Sequence, residues 1–340
     1  MSDTMTPPLE TPPARTKVKP RPAALQNPVG KYALIGVWAV MAAVFWFTVQ
    51  DGLFRTSGTF HAIFGSVNAT VLIMLALAAL STLIVGEFDL SFASVMGISA
   101  ATVAIVGGQH HQSALVAVLA GMAVALLAGL VNAIFVVTFG VSSFVVTLGM
   151  STVLTSLGEL ITHNNFVAFS NGTLKSIATH KVFTMPLAFY YGIGLALVMA
   201  YVLAWMPIGR SALFVGANPE VARLAGVRVQ RIRFGSYLLG ATFAGLAGVL
   251  VVASVGSFDN STTGTYLLPA LAAVFLSTAV IQPGVFNPIG AVIAIFFLQT
   301  GIIALQLMGS STWVVGLFYG GGLVIAVSIS KLIRSRTTTH

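Results

Sequence analysis

Charge is scarce in this sequence: Asp, Glu, Lys and Arg together make up 7% of 340 residues, against 57% apolar residues. A soluble fold of this length would have too few polar side chains to cover its core, so the chain is solvated by lipid. Cysteine is absent, which excludes disulfide frameworks and thiolate metal sites. The six histidines are scattered and give no metal-ligand spacing on any one helix, so no metal site is expected. No Gly-x-x-x-x-Gly-Lys-Ser/Thr segment occurs, so any nucleotide chemistry must come from another chain. An intramembrane enzyme would need a nucleophile with its base, or a metal cluster, and His110-His111 in a short turn supplies neither. No catalytic residue is expected. The net charge of +8 does not mark a nucleic-acid binder, because the basic residues sit at the ends of apolar segments rather than in one patch.

What the sequence does hold is one apolar run after another. A membrane span needs roughly 20 mostly apolar residues. Cutting the chain at polar or Gly/Pro breaks gives about ten candidate spans, at approximately residues 32–49, 63–85, 91–106, 113–137, 141–161, 187–206, 235–255, 265–281, 286–308 and 312–330. Residues 31–331 are thus one transmembrane domain. Residues 1–30, rich in proline and poor in hydrophobicity, are expected to form a disordered cytoplasmic tail, with a short second tail at 332–340. No signal peptide is read here, because the first apolar run begins near Tyr32 and is long enough to cross the bilayer.

The positive-inside rule checks the span count. With ten spans and both termini cytoplasmic, Arg15, Lys17, Lys19, Arg21, Lys31, Arg210, Arg223, Arg228, Arg231, Arg233, Lys331, Arg334 and Arg336 all fall inside. Of the 16 basic residues only Arg55, Lys175 and Lys181 fall outside. An odd number of spans on either side of Arg210 would destroy that bias.

Two loops exceed a tight turn, an external one at 162–185 and a cytoplasmic one at 207–234. The second has order written into it. Asn218 is a good helix N-cap, Pro219 suits the first helical position, and Glu220 complements the positive helix start. Gly226 is placed to end the helix in a left-handed conformation. Val221, Leu224 and Ala225 give it an apolar side while Glu220 and Arg223 stay polar, so this helix of about two turns is suited to rest on a partner. The plainer reading is that a cytoplasmic loop carries arginines for topology, but topology alone needs no helix caps.

The run Gly216-Ala217-Asn218-Pro219-Glu220-Val221-Ala222-Arg223-Leu224-Ala225-Gly226 resembles the loop with which the ribose- and xylose-type monosaccharide permeases of ABC importers contact their ATPase. Gly86-Glu87-Phe88-Asp89-Leu90-Ser91 is similar to that family's Gly-Gly-Ile-Asp-Leu-Ser segment after the second span. Asn132 falls at its Asn position in the fourth span, and Ser143-Phe144-Val145-Val146-Thr147-Leu148-Gly149 resembles its Phe-Ile-Val-Thr-Leu-Gly segment. Glu87 stands where a second glycine is usual and Val221 where alanine is usual, departures that mark a divergent branch. The resemblance implies an all-α fold, a polytopic transmembrane helical bundle built as two inverted five-span halves. It implies residence in the bacterial cytoplasmic (inner) membrane. It further implies that Asn218, Pro219, Glu220, Ala222, Arg223, Leu224 and Gly226 form the ATPase-coupling helix. Expected partners are an ABC ATPase subunit that itself binds ATP and Mg, a second permease copy (identical or paralogous) and a periplasmic solute-binding protein. No cofactor is expected in this chain.

The remaining candidates are polar groups at membrane depth, which are costly and tend to face protein or water. Glu87, Asp89 and Ser91 lie at a helix break between the second and third spans, where Asp89 is placed to cap the following helix by accepting from amides near residues 91–93. Ser143, Thr147, Ser151, Thr155 and Glu159 recur every four residues and share one face of the fifth span. Two compatible readings stand for that face: close helix packing through hydroxyl bonds, or a polar wall of the translocation path. Asn68 and Asn132 are lone amides with the same two readings, and with Phe144, Thr147, Ser151 and Thr155 they are the candidate path residues. A self-sufficient secondary transporter or channel is the alternative function. It predicts midplane carboxylates or broken helices, and the sequence reading finds neither.

Overall fold

The computed structural model describes residues 28–311 and 313–324. The expected tail at 332–340 and residues 1–27 of the expected N-terminal tail lie outside the described residues, as do Lys331, Arg334 and Arg336.

The described residues are mostly helical. In order come α1 (Pro28–Thr48), a 3₁₀ turn (Gln50–Arg55), α2 (Ser57–Phe64), α3 (Val67–Leu83), α4 (Phe92–Ala104), α5 (Ala114–Ala133), α6 (Ser143–Thr162), α7 (Gly172–Thr179), α8 (Leu187–Trp205), α9 (Pro207–Ala217), α10 (Pro219–Leu224), α11 (Val229–Val255), a second 3₁₀ segment (Asn260–Tyr266), α12 (Leu267–Ser277) and α13 (Pro288–Leu307). A last apolar helix, α14, covers Trp313–Val324. Four two-residue strands, β1 (Val167–Ala168), β2 (Lys181–Val182), β3 (Met185–Pro186) and β4 (Ser257–Phe258), pair as β1 with β4 and β2 with β3. Among the described residues, seven helical stretches are long and apolar enough to cross a membrane: Ser57–Leu83, Phe92–Gln109, Ala114–Thr138, Ser143–Thr162, Leu187–Trp205, Val229–Val255 and Pro288–Leu307. Apolar helices also stand at the other three expected span positions: α1, apolar over Leu34–Thr48, the short α12, and α14, whose described part is Trp313–Val324.

Helix starts follow local chemistry. Ser66, Ser113, Asn171, Asn218 and Asn287 each accept a backbone N–H of the helix they precede, satisfying donors that would otherwise be orphaned. Asn287 also donates to the carbonyls of Ser277 (2.9 Å) and Val280 (3.2 Å), tying the end of α12 to the start of α13. Buried α3 is the centre of the bundle, with α11, α12, α13 and α8 packed on it, while α4, α5 and α11 pack against one another. Small residues let these axes close up: a Cβ on Gly129 of α5 would collide with Ala241, and one on Gly248 of α11 with the Met96 carbonyl of α4. The spaced glycines of α5 and α11 are therefore helix contacts.

One expected span is not a single transmembrane helix. Residues 265–281 are apolar enough for a continuous span, but α12 has only 11 residues, about 16 Å of helix against a hydrocarbon core of roughly 30 Å. It is entered through the 3₁₀ segment Asn260–Tyr266, and Pro269 in its first turn lacks the N–H an earlier helical start would use. The broken helix that the sequence reading did not find is present here.

That break has a counterpart. Val85-Gly86-Glu87-Phe88-Asp89-Leu90-Ser91 after α3 is repeated as Val255-Gly256-Ser257-Phe258-Asp259-Asn260-Ser261 after α11. Both glycines take positive φ, +85° at Gly86 and +76° at Gly256, where a side chain would be strained. Both aspartates accept the backbone N–H two residues on, Ser91 at 2.8 Å and Ser261 at 3.0 Å. The two copies lie at opposite ends of the bundle: Gly86 is against Gly216 of α9, whereas Gly256 is against Ser170 just before α7. This is the local signature of two inverted halves.

Candidate coupling surface and polar track

At the end of the bundle that carries α9 and α10, the capped helix forms as its residues dictate. The Asn218 side-chain oxygen accepts the N–H groups of Glu220 and Val221, each at 3.1 Å, and Pro219 takes the first helical position. Gly226, at φ +82°, lets the Val227 N–H return to the Ala222 carbonyl at 3.0 Å, closing the C-terminus. Glu220 and Arg223 pair at 2.8 Å with both side chains 71% exposed, so the pair is screened and adds little to stability.

The helix has a seated side and a free side. Ala222 is buried and packs with Val215 of α9 and Val85 at the end of α3. Leu224, 84% exposed, and Val221 point away from the chain. The free side of the capped helix is thus apolar at Leu224 and Val221. Gly216 sets how closely this unit sits on the bundle. A Cβ there would lie 1.9 Å from the Ile84 carbonyl oxygen, so only glycine lets α9 touch the end of α3.

From that seat, connections run into the bundle through residues 86–91. Glu87 forms an ion pair with Arg233 at the start of α11, with 12% and 28% of the two side chains exposed. Asp89 accepts from the Ser91 N–H at 2.8 Å and from the Ser91 hydroxyl at 2.6 Å, and Asn132 of α5 donates to Ser91 Oγ at 2.8 Å. Burial in this break pushes the Asp89 carboxyl above the usual carboxylate range, against the two Ser91 bonds, which pull it down. The aspartate fixes the turn before α4 by holding Ser91, not residues 92 and 93. The Phe88 N–H donates to Ser143 Oγ (3.3 Å) and the Leu90 N–H to Thr147 Oγ1 (3.1 Å), which fastens the break to the start of α6.

Further along α6, Ser94 of α4 bridges Ser151 (2.8 Å) and Thr155 (3.1 Å). Asn260, from the repeat at the opposite end, donates to the Thr155 carbonyl at 3.1 Å. The face predicted from spacing is thus one track through the bundle, gripped at each end by one copy of the repeat, and its hydroxyls are bonded within the chain. Asn132 and Thr147 are buried in it. Three candidates stand apart. Phe144 is 52% exposed on another face of α6, Asn68 is exposed near the start of α3, and Glu159 is exposed near the α7 end. The side of α6 facing away from the bundle carries Val145, Gly149, Thr152 and Ser156, all exposed.

Sequence reasoning missed Arg233, counted only as a topology arginine, and missed Ser94 and Asn260. For Asn260 a signal was present in the seven-residue repeat itself, which places it beside Asp259 as Leu90 stands beside Asp89. For Ser94 no sequence pattern singles it out from the other small residues of α4.

The family model described as "Branched-chain amino acid transport system / permease component" matches residues 62–327. The chain is 31% identical over 292 residues to the autoinducer 2 import system permease protein LsrC of Yersinia pseudotuberculosis serotype O:1b (strain IP 31758), covering 85% of this chain and 81% of that protein. It is 30% identical, with the same coverage, to the protein of that name in Yersinia pestis (strain Pestoides F). No solved structure matches. The resemblance carried by the helix at residues 219–224 and the break at 86–91 therefore holds across most of the chain, the multi-pass apolar helices place it in the inner membrane, and the protein belongs to the permease family of ABC importers, a transport subunit whose ATPase is a separate partner.

Proposed function

We propose that this chain, paired with a second copy of itself or a paralogue, forms the path by which a sugar or similar small polar solute enters the cell from a periplasmic binding protein. The observation that carries the reading is the doubly capped α10 helix, seated by Ala222 on Val85 and offering Leu224 and Arg223 outward. The α9–α10 end is cytoplasmic and both termini lie on that side, because Arg210, Arg223, Arg228, Arg231 and Arg233 cluster there. The ATPase receives α10, and ATP and Mg are bound by that partner. When the ATPase pair closes, α10 moves with α9, which is wedged on the end of α3 by Gly216. The Glu87–Arg233 pair and the Ser143 and Thr147 bonds carry the displacement to α6. The path lies against the outward side of α6, where Gly149, Thr152 and Ser156 give a narrow, hydroxyl-bearing surface suited to a hydrated solute. Thr147, Ser151 and Thr155, by contrast, position α6 against α4. The relatives named for autoinducer 2 import make that compound the first solute to test beside pentoses and hexoses.

The test is Arg223→Glu, with uptake, membrane insertion and ATPase co-purification measured together. The variant is expected to insert normally and to lose uptake and ATPase binding. Normal uptake with the ATPase still bound would refute the docking assignment.

A further inference from the structure

At the end opposite α10 lies a cavity of about 490 Å³, within the range of roughly 300–1,000 Å³ typical of ligand pockets. Its walls come from four elements: Met74 of α3, Leu174 and Ile177 of α7, Gly194 of α8 and Leu250 of α11 among them. The lining is apolar apart from Tyr190 and Tyr191, so water gains nothing by filling it. A Cβ built on Gly194 meets no atom within 4 Å, which leaves the space open at that point of α8.

What lies around the cavity has a different character. Short α7 is amphipathic, with Leu174 and Ala178 buried and Lys175 exposed. The hairpin that follows carries Lys181, also exposed, and is tied to the cavity wall because the Tyr190 hydroxyl donates to the Val182 carbonyl at 2.7 Å. At its tip Phe183 is 89% exposed with φ +45°, a left-handed backbone that a bulky residue rarely adopts. A ring held out in that conformation, next to two tyrosines, matches the aromatic belt at a membrane surface. Lys175 and Lys181 are also two of the three basic residues that break the positive-inside pattern.

We infer that this cavity holds one acyl chain of an anionic phospholipid from the leaflet at the α7 end, with the phosphate over α7 and the hairpin, where Lys175 and Lys181 supply the charge. The apolar walls select a hydrocarbon chain, the lysines select a negative headgroup, and the tyrosines and Phe183 hold the hairpin at headgroup depth. The two lysines thus have a local task that topology does not explain.

The experiment is native mass spectrometry of the delipidated, detergent-purified chain with added phosphatidylglycerol or phosphatidylcholine, scored for a first, saturable lipid adduct. The unaltered chain should take phosphatidylglycerol at least tenfold more readily. Gly194→Trp, which grows into the cavity, should abolish the saturable adduct for both lipids, and Gly194→Leu serves the same purpose if the tryptophan variant fails to fold. Lys175→Ser with Lys181→Ser should keep the adduct and lose the headgroup preference, and glycerol phosphate alone should not compete. Unchanged adducts in a folded Gly194 variant would overturn the acyl site, and an unchanged preference in the double serine variant would overturn the headgroup assignment. Because no step of transport is measured, either failure leaves the importer reading standing.

Discussion

Removing Arg233 tests the link between the coupling helix and the membrane domain, because its partner Glu87 stays behind with only 12% of its side chain exposed. Leaving one member of a fully buried ion pair uncompensated costs about 3–5 kcal/mol. Arg233 keeps 28% of its side chain in contact with solvent, and water reaching the site screens the loss, so Arg233→Ala is expected to cost about 2 kcal/mol. Glu87→Gln removes the charge and keeps an acceptor for the guanidinium, and should cost about 1 kcal/mol. If the two side chains act as one unit, the double variant is no worse than the arginine change alone, giving a coupling energy of about 1 kcal/mol in a double-mutant cycle. The assay is reversible unfolding in mixed micelles, followed by far-UV circular dichroism, alongside uptake in proteoliposomes with the ATPase supplied. Uptake should fall further than stability does if, as proposed, the pair also carries motion from α10 to α6. Strict additivity, with a coupling energy below about 0.3 kcal/mol, would refute the pair as a unit.

Three other outcomes follow from the same contacts. Gly216→Ala should drive α9 off the Ile84 carbonyl, at about 1–3 kcal/mol of overpacking, and appear as reduced yield and a lower unfolding midpoint. Asp89→Asn retains the acceptor for the Ser91 N–H and suits a carboxyl whose affinity for protons is raised by burial, so it should be within about 1 kcal/mol of the parent, while Asp89→Ala leaves the Ser91 N–H without its acceptor and should cost about 1–3 kcal/mol. Thr152→Leu with Ser156→Leu, on the outward side of α6, should block uptake without changing the unfolding midpoint, whereas Ser151→Ala, which loses the Ser94 bond, should lower the midpoint by an amount equivalent to about 1 kcal/mol.

Much of this molecule is readable from local rules. The α10 helix is bounded by Asn218, Pro219 and Gly226, whose chemistry acts within a few residues, so its geometry is legible without any tertiary knowledge. The face on α6 is legible too, because a spacing of four fixes which side chains share a side. Which way that side points is not. Both the bundle and a wet path accept hydroxyls, and only the placement of Ser94 and Asn260 shows that Ser151 and Thr155 turn inward. The break at α12 was hidden because residues 265–281 are apolar enough to span, and hydropathy does not report that Pro269 delays the helix. Arg233 was hidden because its pairing with Glu87 depends on how α11 is set against the end of α3, a long-range choice that no window of sequence contains.

The absence of cysteine makes the central claim, that α10 is the contact with the ATPase, directly measurable. A single cysteine at Leu224, 84% exposed, should react through a short thiol crosslinker with the ATPase in membranes holding both subunits, while a single cysteine at Lys175 should not. Crosslinking at Lys175 and none at Leu224 would contradict the account.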